Sequence, residues 1–214
     1  VTITGGTITG TNYGVYATSD SAVTITGGKI SATGKSSCGV YASNSNVTIS
    51  GGEVSSNGQY SYGVYANKST VTITGGSITG ESNDLRVLDG GSITLGLAVG
   101  AKKGATFPGD LKVSGTTLKA CLANGAAYWQ GTQMIFPSDG QKEITGGDVT
   151  VKAPCEHTTV TYSVKDVTDA TKHKVVCSEC DNVLSTESHT RTYTASGNVI
   201  TDSCSKCKAT FGTA

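Results

Sequence analysis

The chain has 214 residues, 36% hydrophobic, 15% charged and 6% aromatic, with 16 Lys+Arg against 16 Asp+Glu. Zero net charge removes the general electrostatic case for nucleic acid, which needs Lys and Arg massed on one face, and no apolar run reaches the ~18–20 residues of a membrane span. Strict recurrence of Val and Ile at low net charge excludes ordinary disorder, while 29 Gly, 33 Thr and 24 Ser point to short strands and many turns.

The first ninety residues repeat. VTITGGTITGTNYGVYATSDSA begins at Val1, VTITGGKISATGKSSCGVYASNSN at Val23, VTISGGEVSSNGQYSYGVYANKST at Val47, and a fourth unit at Val71 decays after Gly80, so the period is 22, then 24, then 24. Within a unit the apolar residues alternate with Thr at period two, the signature of strands. Gly5-Gly6 separates the first strand from the second, as a Gly pair does where positive φ is needed. Stretches rich in Thr, Asn and Ser before Tyr13 and after Ala17 supply two further corners. Each unit therefore reads as three strands and three turns.

A unit of ~20–25 residues cannot bury its apolar face alone, and stacking solves this. The expected fold is all-β: a right-handed parallel β-helix with three strands per coil, rungs about 4.8 Å apart. The predicted inward columns are Val1/Val23/Val47/Val71, Ile3/Ile25/Ile49/Ile73, Ile8/Ile30/Val54/Ile78 and Val15/Val40/Val64/Val87. Each buried aliphatic contributes roughly 1.5–3 kcal/mol. Because the pattern starts mid-repeat at Val1 without the cap that solenoid ends require, the chain is expected to continue upstream in its parent protein.

The outward columns are mostly Thr, with one exception. Tyr16, Tyr41 and Tyr65 stack on one face, flanked in phase by Gly14, Gly39 and Gly63. Either this is an aromatic strip for sugar rings, with its edges left open by the glycines, or a structural ladder of stacked rings. The fourth unit carries Arg86 and Leu88 where Gly and Tyr are expected, so the strip is predicted to stop there.

From about Gly91 to Lys152 the repeat fades. SITLGLAVGAKKGATF reads as one last irregular coil, and KEITGGDVTVKA as continued β structure closing the stack. Met134, Ile135 and Phe136 are expected to plug the core. Trp129 is either a core or cap residue or an exposed sugar platform.

The predicted organisation is a β-helix over residues 1–152 and a small Cys/His-rich β module, resembling a zinc ribbon, over 153–214. In the tail, HTTVTYS leads to Cys177-Ser-Glu-Cys180 and HTRTYTAS to Cys204-Ser-Lys-Cys207. Two C-x-x-C pairs separated by 23 residues suit a structural zinc site, because each tight turn aims two thiolates at one ion ~2.3 Å away. His157, His173 and His189 could replace or supplement thiolates. An alternative closes a first site with Cys155, His157, Cys177 and Cys180 and leaves His189, Cys204 and Cys207 in the second unit. Disulfides compete with metal, although five tail cysteines are odd in number. Cys38 and Cys121 read as buried thiols behaving as small apolar residues.

The VTITGG…GVYA units resemble repeats in large secreted or cell-wall proteins of gut Firmicutes and are similar to the bacterial carbohydrate-binding β-helix family. The H-T-x-T-Y…C-x-x-C tail is similar to Cys/His modules near the C-termini of such surface proteins. The resemblance implies a secreted or wall-attached, monomeric module that binds a polysaccharide or host-surface glycan. Calcium in that family is held by acidic residues at the coil turns, where this sequence has Thr, Ser and Asn, with Asp20 the lone acid at that corner of the first three units.

Three function classes follow, of which the first two are a non-catalytic adhesin-like or carbohydrate-binding module using Tyr16, Tyr41 and Tyr65, and a purely structural stalk. A β-helix polysaccharide lyase or hydrolase is the third. Glycoside hydrolysis wants two carboxylates about 5–9.5 Å apart, and the columns offer instead Lys29 beside Glu53, a surface ion pair worth under ~1 kcal/mol.

Overall fold

The structure is a computed structural model that describes residues 1–164, 169–197 and 199–213. It divides into two compact units, Val1–Gly131 with Ile135–Pro154, and Thr132–Met134 with Cys155–Ala214.

The first unit is a β-solenoid of about five turns. Thr2–Ile3, Ala22–Ile25, the first halves of Asn46–Ser56 and Thr70–Gly80, and Ser92–Leu95 pair in parallel. The register puts Ile3, Ile25, Ile49, Ile73 and Leu95 in one column, and Val23, Val47, Val71 and Ile93 in another. A second ladder stacks Ile8, Ile30, Val54 and Ile78. Ile25, Ile49, Ile73, Leu95, Val54 and Ile78 are fully buried. Between these ladders the second glycine of each pair (Gly6, Gly28, Gly52, Gly76) takes φ of 80° to 90°, the left-handed region glycine enters freely.

The third ladder stacks Tyr13–Ala17, Cys38–Ser43, Tyr62–Asn67, Asn83–Leu88 and Leu111–Ser114. Here the expected column needs correction. Val64 faces Leu85, not Val87, and Val87 lies beside Ala66. The cause is corner length. Ile30 to Val40 and Val54 to Val64 each take ten residues, whereas Ile8 to Val15 and Ile78 to Leu85 take seven. The fourth coil follows the first coil's short corner, which shifts its register by two residues.

The fifth coil is complete: Ser92–Leu95, Lys103–Phe107 and Leu111–Ser114 extend the three ladders. Beyond it pairing turns antiparallel. Val149–Lys152 runs against Lys103–Phe107 and Ala127–Gln130, and Glu143–Ile144 against Leu111–Lys112. Reversed strands cannot start another coil, so the stack closes. A single helical turn among the described residues, Leu118–Cys121, is capped by Thr117, whose hydroxyl accepts from the Ala120 N–H.

Of Met134, Ile135 and Phe136, only Ile135 packs against the core, partly buried. Phe136 is 69% exposed, and Met134 belongs to the second unit, where its Sδ accepts from the Cys155 N–H. Phe107, Leu111, Leu118 and Tyr128 fill the end of the core, with the Tyr128 hydroxyl donating to the Leu118 carbonyl at 2.8 Å. Trp129 is buried, its Nε1 donating to the Ala153 carbonyl, so it is a cap residue and no platform.

The second unit contains two small antiparallel sheets, Val160–Ser163 with Lys172–Cys177 and Val183–Ser188, and Arg191–Ser196 with Val199–Cys204 and Thr210–Thr213. Each middle strand ends at the first cysteine of a C-x-x-C turn.

Candidate sites: a tyrosine face and two Cys/His clusters

Tyr16, Tyr41 and Tyr65 share one register column, as the repeat requires, and Arg86 is the next member. Two rings that the sequence reading left out join them. Tyr13 stacks on Tyr16 with centroids 5.1 Å apart and also lies 5.1 Å from Tyr41. Tyr62 meets Tyr65 edge-on at 5.6 Å. Tyr16–Tyr41 and Tyr41–Tyr65 stand at 5.4 and 4.9 Å, within the range of favourable aromatic pairs. Arg86 lies over the rings of both Tyr62 and Tyr65, at 5.0 and 5.3 Å, and donates through Nη1 to the Tyr62 hydroxyl at 3.1 Å. The tyrosines stop at the fourth coil, where Arg86 stands in the tyrosine's column and not the glycine's, so the row ends in a guanidinium.

The flanking glycines do something other than open the strip's edges. A Cβ at Gly14 would fall 2.6 Å from Ile30 Cγ2, at Gly39 2.6 Å from Val54 Cγ1, and at Gly63 2.8 Å from Ile78 Cγ2. These positions face the core, where the tyrosine ladder lies against the neighbouring aliphatic column. Asp84 follows them in the fourth coil and is buried. Its carboxylate accepts from the Gly80 and Lys112 N–H groups at 3.0 and 2.9 Å. Burial pushes its pKa up to about 6, against the lowering effect of those bonds and of Lys112. Lys29 and Glu53 form the expected exposed ion pair at 2.9 Å. Cys38 and Cys121 are buried, and burial raises their thiols to about 12 and about 11, so neither is a nucleophile at neutral pH.

In the tail the structure separates the two C-x-x-C pairs instead of joining them in one four-thiolate ribbon. Cys155, His157, Cys177 and Cys180 form one cluster, and His173, His189, Cys204 and Cys207 a second; within each, the ligand atoms all lie within 4.8 Å of one another. All seven cysteines are free thiols, and the Cys155–Cys177 Sγ···Sγ contact of 3.3 Å exceeds a disulfide bond of about 2.05 Å.

A tetrahedral ion with thiolates at ~2.3 Å and imidazole nitrogens at ~2.0–2.1 Å implies edges of about 3.3–3.8 Å. The clusters match: Cys180 Sγ to His157 Nδ1 is 3.5 Å, Cys204 Sγ to His173 Nδ1 3.7 Å, Cys207 Sγ to His189 Nδ1 3.4 Å and His173 Nδ1 to His189 Nδ1 3.3 Å. Burial alone would raise the Cys177 and Cys204 thiols. Hydrogen bonds outweigh it, chiefly from His157 and the Glu179 N–H for Cys177, and from the Cys207 N–H and His189 for Cys204. They bring the two thiols down to about 6 and about 5. Each cluster thus holds one cysteine predisposed to the thiolate that a metal needs. His173 is fully buried, and its Nε2 has no hydrogen-bond partner, facing Glu187 Oε2 at 3.8 Å. An imidazole that coordinates through Nδ1 commonly presents its other N–H to a carboxylate in this way. His173 was legible only as one of three nearby histidines.

Comparison with protein-family models, with curated proteins and with solved structures gives no match to this chain. The fold and its donor sets define a β-solenoid repeat protein with small Cys/His-rich sheets carrying two tetrads placed like metal sites.

Proposed function

We propose that this chain is a non-catalytic module of an extracellular or cell-wall protein that binds a polysaccharide or host-surface glycan along its tyrosine face, and that its two Cys/His clusters hold structural zinc. The observation that carries the binding role is the continuous row of Tyr13, Tyr16, Tyr41, Tyr62 and Tyr65 ending at Arg86. Tyr13 and Tyr16 are 39% and 54% exposed, so ring faces are available to the apolar faces of sugars. Rungs about 4.8 Å apart suit a chain of pyranose rings laid along the stack. A catalytic role is disfavoured by where the acids go: Glu53 pairs with Lys29, and Asp84 is buried against backbone N–H groups. The metal role rests on the match of both donor sets to zinc. Each brings four protein ligands, which is the closed arrangement of a structural site and leaves no position for substrate.

A structural stalk is the second reading, favoured by the contacts that the rings make with one another. Titration of the protein with plant and mucin polysaccharides, followed by tyrosine fluorescence and calorimetry, separates the two. The binding reading expects saturable binding, weakened about two- to tenfold by Tyr16→Ala, since an aromatic contact is worth roughly 0.5–1.5 kcal/mol, with the thermal midpoint unchanged. No response to any glycan, with Tyr41→Ala unfolding the solenoid, would leave the stalk.

A further inference from the structure

The two tail modules are copies with one telling substitution. Cys155-Glu156-His157 leads into the first and Glu187-Ser188-His189 into the second. His157 and His189 occupy matching places in their clusters, as do Cys177/Cys180 and Cys204/Cys207. Glu187 therefore stands where the first module has its ligand Cys155. The second module alone offers three ligands, and its fourth, His173, comes from the middle strand of the first module's sheet. The position matching His173, four residues ahead of the second C-x-x-C, holds Ile200, which is 50% exposed.

We propose that the second cluster is a zinc clasp completed across the modules. His173 of the first module replaces the missing cysteine of the second, and the displaced Glu187 orients it. Other contacts gather at the same place. Lys206, inside the second C-x-x-C turn, pairs with Glu187 at 2.7 Å and lies over the ring of Tyr162 in the first sheet at 5.2 Å. Tyr162 in turn meets His173 edge-on at 5.2 Å. The first cluster, by contrast, draws its four ligands from Cys155 to Cys180, so it closes within its own module. The two ions thus have different tasks: one folds a module, the other fastens two.

This inference rests on the zinc reading, and counting zinc per full-length chain by mass spectrometry tests the two separately. The wild type is expected to hold two ions. Cys177→Ser loses the first site. His173→Ala holds one, with faster proteolysis at residues 188–191. His173→Ala combined with Glu187→Cys regains two by rebuilding a three-cysteine, one-histidine site inside the second module, but stays open to proteolysis. The ion in the Cys155 cluster is the folding control, and the rescue reports on the second site even where His173→Ala loosens the tail. Two ions in His173→Ala, or one in the double variant, would overturn the clasp and leave zinc standing. A wild type that binds no zinc would overturn both.

Discussion

Glycines of identical appearance in this sequence answer to different physics. Gly5 has open space around its Cβ position, whereas a methyl at Gly39 would meet Val54 Cγ1 at 2.6 Å and the Gly63 carbonyl oxygen at 2.8 Å. Gly39→Ala is expected to destabilise the solenoid by about 2 kcal/mol, in the range of overpacked cores, while Gly5→Ala changes stability by no more than about 0.5 kcal/mol; paired denaturant titrations check both. The period-two phase of Tyr13-Gly14-Val15-Tyr16 hid this difference. Strict alternation puts Gly14 beside Tyr16 and Tyr13 on the opposite face, yet Tyr13 and Tyr16 stack on each other. Alternation describes a flat strand, and the glycine permits a local departure from it.

Among the elements, the strand Asn83–Leu88 joins the repeating coils to the irregular fifth through Asp84, which takes the glycine's place and accepts from Gly80 and Lys112. Its pKa is raised to about 6 from an ordinary 3.8. The folded state then binds a proton that the unfolded chain has released. The stability from this group is complete below about pH 4, falls between about pH 4 and 6, and is constant above. The solenoid's midpoint in urea is expected to rise as pH is lowered from 7 to 4.5, and this increment is expected to vanish in Asp84→Asn. The four repeating coils and their columns were legible because identical phrases must stack. The fourth coil's register was misread because its corner has the first coil's length and the third coil's position. The antiparallel closure was illegible in detail: KEITGGDVTVKA looks like the repeat, and strand direction depends on where the chain arrives, not on local composition.

At the scale of the molecule, two compact units rest on different forces. The solenoid core is a continuous aliphatic and aromatic cluster. The tail has exposed apolar residues such as Tyr193, Val199 and Ile200, and sheets this small need a metal or another staple to be stable. Chelation by 1,10-phenanthroline is therefore expected to abolish one of two thermal transitions, the tail's, and to leave the solenoid's unchanged. A loss of both together would contradict this division. The tail's ligand types were readable from C-x-x-C spacing, and the alternative partition names every ligand of both clusters except His173. Spacing brings neighbours together in sequence, and His173 reaches its cluster through the sheet that positions it.

The matched rungs carry one more implication. Because like residues stack in register from coil to coil, duplicating or deleting a 24-residue unit would lengthen or shorten the aromatic row by one step of about 4.8 Å, with its guanidinium terminus intact. Copy number would then act as a ruler, letting recombination within the gene set how long a polymer the surface can grip without redesigning any contact.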